Sequence, residues 1–69
     1  MFNIILAKMK KEIETWWNNT PFWLMENITG YCQDDFSPDD GYQDFVDACD
    51  EWWNRLNYNE KQRIYNDYN

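Results

Sequence analysis

The chain reads as all-α: a compact bundle of three or four helices at about 2–18, 21–29, 38–56 and 58–68, in a single small domain over residues 1–69. Three observations predict it. Apolar residues recur at three-and-four spacing through most of the length, helix stop and start signals fall between the periodic stretches, and bulky aromatic residues are abundant enough to fill a small core. A 69-residue domain buries only about 60% of the surface its unfolded chain exposes. Small scaffolds of this kind need a staple or unusually large core residues. The aromatic content of 20%, with five Trp, five Tyr and four Phe, points to the second.

In the first segment Phe2, Ile5, Leu6, Met9, Ile13 and Trp16 share one face, with Trp17 at its edge. Ile and Phe also favour strands over Phe2 to Leu6, but the period across the whole window is nearer 3.6 than 2. The polar face carries Lys8, Lys11, Glu12 and Thr15 and is close to neutral. Asn18-Asn19-Thr20-Pro21 then breaks the pattern, with Thr20 as the expected N-cap and Pro21 in the first helical position of a short helix. Phe22, Trp23, Leu24, Met25 and Ile28 make this helix apolar over most of its circumference, and Gly30 suits a left-handed C-terminal stop.

After a loop from Tyr31 to Phe36, Ser37-Pro38-Asp39-Asp40 supplies an N-cap, a first-turn proline and two acids for a long helix reaching Leu56. Tyr42, Phe45, Val46, Cys49, Trp52, Trp53 and Leu56 form its apolar stripe. Asp40, Asp44, Asp47 and Glu51 fall within about 40° of one line on the opposite side, at about 100° per residue. Gly41 inside the first turn costs up to about 1 kcal/mol relative to alanine, which leaves the start of this helix open by a few residues. Asn57, with Glu60 three residues on, is a capping-box signal for a last helix from Tyr58 to about Tyr68. Tyr58, Ile64, Tyr65 and Tyr68 share a face there, with the Lys61 stem expected to lie over the rings.

Composition excludes several function classes. Two cysteines, Cys32 and Cys49, and no histidine leave no ligand set for structural zinc, and both thiols are expected to be reduced. Met1 to Ala7 is too short an apolar run for a signal sequence, and Lys8, Lys10 and Lys11 follow it rather than precede it. No segment approaches the ~20 apolar residues of a membrane span. A cytoplasmic protein with no membrane partner is expected. The sequons at Asn18 and Asn27 carry no weight without export.

Charge is segregated. From Glu26 to Glu51 there are nine carboxylates and no Lys or Arg, whereas the flanks each come to +1, within a total of −7. Helix surfaces usually alternate in sign, because like charges four apart cost a few tenths of a kcal/mol. One reading is a solubility face. The sharper reading is a face that docks on a basic surface, exchanging mutual repulsion for pairing with Lys and Arg. Its candidate residues are Asp34, Asp35, Asp39, Asp40, Asp44, Asp47, Asp50 and Glu51. Carboxylates one turn apart, roughly 5 to 6 Å, approximate the phosphate spacing of a nucleic-acid strand. The same charge argues against direct binding of DNA or RNA.

In size, charge and the carboxylate layout of Glu26 to Glu51, the chain resembles phage-encoded inhibitors that mimic nucleic acid, including many anti-CRISPR and anti-restriction proteins. The resemblance implies a larger basic partner, a host nuclease or nucleic-acid-binding complex. The function expected is therefore a non-enzymatic inhibitor whose acidic helical face blocks that partner's nucleic-acid-binding surface.

The alternative is a small helical adaptor or homo-oligomer that uses an aromatic face. Trp16-Trp17 and Trp52-Trp53 each place two indoles about 100° apart, so one of each pair lies near the edge of its stripe. Trp17 and Trp23 are the candidate aromatic anchors, and they keep a homodimer in view. Catalysis would rest on carboxylates alone, in a chain too short to build a cleft around them, so no enzyme activity and no cofactor are expected. An EF-hand register fails, because Gly41 at the sixth loop position puts Phe36 first and Pro38 third.

Overall fold

The structure, a computed structural model, describes the backbone of residues 2–69 and the side chains from Lys8 onward. The fold is all-α, as predicted. Among the described residues there are four α-helices and no strand: α1 (Phe2–Asn18), α2 (Phe22–Thr29), α3 (Gln43–Asn54) and α4 (Tyr58–Tyr68), with a 3₁₀ turn at Gln33–Asp35. The chain divides into two compact units, Met1–Thr20 with Asn57–Asn69, and Pro21–Leu56.

In the first unit α1 packs with α4. The carbonyls that α1 leaves open at its C-terminus are closed by the two residues after it. The Asn19 side-chain amide donates to Thr15 O at 2.8 Å, and the Thr20 hydroxyl donates to Trp16 O at 2.8 Å. Thr20 is therefore spent on ending α1 and is buried, so it does not cap α2 as the sequence predicts. Ile13 and Trp17 are buried in this unit, while Met9, expected on the same apolar face, is exposed. The apolar assignments of Phe2, Ile5 and Leu6 lie outside the described side chains. The Trp16 ring meets Tyr65 edge-on at 5.4 Å, and Lys10 Nζ stands 5.1 Å from the centre of the Tyr58 ring. The α4 start is as predicted: Glu60 N–H donates to Asn57 Oδ1 at 2.9 Å, and Asn57 N–H donates to Glu60 Oε1 at 3.2 Å.

In the second unit α2 packs on α3. Pro21 is the N-cap of α2 rather than its first residue, and its carbonyl accepts from Leu24 and Met25 N–H. Gly30 ends the helix at φ 81, its N–H donating to Glu26 O at 2.9 Å, which is the left-handed stop the sequence predicts. The Glu26 carboxylate accepts from Gln33 N–H at 2.6 Å and holds the 3₁₀ turn against the end of α2.

The long helix starts later than predicted. Ser37-Pro38-Asp39-Asp40 forms a turn, with Asp39 N–H donating to Ser37 Oγ and Gly41 N–H to Pro38 O, in place of the first turn of a helix. Gly41 and Tyr42 then take φ 69 and φ 64. An α-helix cannot run through two left-handed residues, so α3 begins at Gln43. Its apolar stripe is narrower than expected. Phe45, Cys49 and Trp53, each four apart, are fully buried, and Trp52 is half-buried along with Tyr42, Val46 and Leu56. Phe45 sits between the rings of Phe22 and Phe36, 5.6 and 5.7 Å away and steeply inclined.

Candidate functional site: an acidic surface on residues 21–56

Within Pro21–Leu56 nine carboxylates stand against one base, Arg55. Seven of the nine are exposed: Asp34, Asp35, Asp39, Asp40, Asp44, Asp47 and Glu51. Glu26 is half-buried on its bond to Gln33, and Asp50 is half-buried and engaged. The packing of α3 explains the exposure of its acids. At about 100° per residue, Asp44, Asp47 and Glu51 fall within about 60° of one another, nearly opposite the Phe45, Cys49 and Trp53 stripe that α3 buries.

Asp40 departs from the expected arrangement. It lies in the turn before α3, where its Oδ1 accepts from Gln43 N–H at 3.1 Å, so it is not one helical turn from Asp44. The predicted four-acid helical line is therefore three acids on α3, extended by the turn acids Asp39 and Asp40. Asp34 and Asp35 are carried separately, on the 3₁₀ turn.

Gln43 has a part that helical periodicity does not reveal. Its N–H holds Asp40 and its side-chain amide donates to Asp47 Oδ1 at 2.9 Å, so one residue orients two of the carboxylates. The signal was present as a Gln–Asp pair four apart. Arg55 reaches Glu51 at 3.9 Å, but both side chains are about three-quarters exposed, and such a pair is weak and easily exchanged for another partner.

The aromatic candidates separate cleanly. Trp17 is 1% exposed, which removes it as a surface anchor: its indole is a core group of the first unit. Trp23 is 61% exposed, more than any other large apolar side chain among the described residues. Its neighbour Phe22 packs on Tyr42 and Phe45, which sets the first turn of α2 beside the Asp40–Asp44 segment.

Among the described residues no group of three or more His, Cys, Asp or Glu side chains is placed to hold a metal ion. No helix among them is long and apolar enough to cross a membrane. Cys32 is exposed and Cys49 buried, and both are free thiols. No protein-family model, curated protein or solved structure matches the chain.

Proposed function

We propose that the protein is a non-enzymatic inhibitor that docks the acidic surface of residues 21–56 on a basic, nucleic-acid-binding surface of a larger protein. One observation carries this reading: seven exposed carboxylates in a 36-residue unit whose single base is loosely held. Like charges on one surface repel, and the one base of the unit, Arg55, offsets little of that repulsion. A surface of Lys and Arg relieves it and is steered toward the site from a distance. The three exposed acids of α3, Asp44, Asp47 and Glu51, also stand on a helix whose other side is core, so they meet a partner as a fixed pattern.

The test is capture of partners from a host lysate at low and moderately raised salt, by the wild type and by Asp40→Asn/Asp44→Asn/Asp47→Asn/Glu51→Gln. The amides keep the acceptors that Gln43 uses and remove the charge. Retention of a nucleic-acid-binding protein that salt and duplex DNA both displace, and that the amide variant loses, is the expected result. Capture indifferent to salt, DNA and the four amides would overturn the proposal. A second reading, an adaptor that works through an aromatic face, has the exposed Trp23 in its favour.

A further inference from the structure

The first unit carries an open groove of about 480 Å³ along α1 and α4. The Trp16 and Tyr65 rings line it, with Thr15 and Asn19 as polar neighbours. Two lysines, Lys8 and Lys11, stand on it against a single acid, Glu12, so its charge is opposite to that of the second unit. A groove of this size falls in the range of about 300 to 1,000 Å³ that accepts a small molecule or a bulky side chain. The second unit carries the matching piece: the exposed indole of Trp23, in the turn of α2 set beside Asp40 and Asp44.

We propose that the Lys8–Lys11 groove is a docking site for a second copy of this chain, which inserts its Trp23 against Trp16 and Tyr65 while its Asp40 and Asp44 face the two lysines. The two surfaces are complementary in both chemistry and charge. The most exposed large apolar side chain sits beside acids, and the aromatic groove carries the opposite charge. An aromatic anchor in an apolar groove, with ionic contacts at its margin, is the usual energetic layout of a protein interface. Anchor and groove belong to different units, so each copy offers one of each. The net charge of −7 opposes close approach of two copies, so the association is weak at low salt. Moderate salt strengthens it by screening the overall repulsion more than the short-range contact.

Sedimentation velocity over a concentration series tests this. Wild type should show a sedimentation coefficient that rises with concentration. Trp23→Ala should weaken association at least about tenfold, as should Lys8→Glu/Lys11→Glu and the groove-filling Thr15→Arg, with helical circular dichroism unchanged in each. Mixing Trp23→Ala with Thr15→Arg is the decisive arm. One variant keeps the groove and the other keeps the anchor, so the mixture should form a heterodimer that grows no further. A wild type that stays monomeric throughout, a symmetric dimer indifferent to the groove substitutions, or folded variants that fail to pair on mixing would each overturn the proposal. It stands independently of the inhibitor reading, which the four-amide variant tests with a foreign partner.

Discussion

Lys61 Nζ lies 2.7 Å from Glu14 Oε1, an ion pair that joins α4 to α1 across 47 positions of sequence. The lysine side chain is only 16% exposed and the glutamate 43%. A charge-assisted hydrogen bond of this kind is worth more than a surface pair, though the exposed carboxylate keeps it below the fully buried range. A double-mutant cycle with Lys61→Met and Glu14→Gln, read by urea unfolding, should return a coupling of about 1 kcal/mol. Both residues have further contacts, so each single substitution costs more than its share of the coupling. A coupling near zero would mean that the two charges are solvated independently.

The Tyr58 hydroxyl is closed off from solvent and meets no hydrogen-bond partner among the described residues. A buried polar group in that position costs about 1 to 3 kcal/mol relative to hydration. Tyr58→Phe deletes the hydroxyl and keeps the ring under Lys10. Its melting temperature should equal or exceed that of the wild type. A fall of more than about 1 kcal/mol in unfolding free energy would show that the hydroxyl is bonded in solution.

Phe45 and Trp52 are seven apart on α3 and differ in burial. Phe45 is fully enclosed between two rings, so Phe45→Ala should cost about 3 to 5 kcal/mol, enough to unfold a chain of this size. Trp52 is half-buried, and Trp52→Ala should cost about half as much or less despite removing the larger side chain. Thermal melts of the two variants decide it, and equal losses would refute the ranking.

Cys49 is buried and its sulfur lies 3.8 Å from the Thr29 hydroxyl. Burial pushes its pKa above that of an ordinary thiol; the Thr29 hydrogen bond pulls the other way, and the nearby Asp50 and Glu26 charges raise it further. The native state therefore holds this proton more tightly than the unfolded state does. Its contribution to stability is complete below the unfolded thiol pKa, about 8.5, and is lost as pH rises through the higher folded value. Urea midpoints should fall above about pH 8.5, and fall less steeply in Cys49→Ala. Under native conditions a disulfide reagent should label Cys32 at once and Cys49 only as the fold opens.

The four helices were legible in the residues because their determinants are local. Phe45, Cys49 and Trp53 recur every fourth position, Gly30 meets a left-handed stop, and Asn57 with Glu60 closes a capping box, all within one or two turns of backbone. The acid segregation was legible for the same reason, since composition is a property of the chain before it folds. The start of α3 was not, because Ser37-Pro38 satisfies the signals of a turn and of a helix start alike. The choice went to the turn, with Gly41 and Tyr42 left-handed and the Tyr42 ring packed on Phe22.

Sequence by itself determined the helical class, most of the helix ends and the sign of the second unit's surface, all of which depend on neighbours a few residues apart. Tertiary structure alone decided which indoles are hidden and which are offered. Trp17 and Trp23 look alike in the sequence, yet one is 1% exposed and the other 61%, because burial depends on what other segments bring against each ring. The same holds for the Trp16 and Tyr65 groove and for the Glu14–Lys61 pair. These join residues about 50 positions apart, and no periodicity along the chain encodes such a meeting.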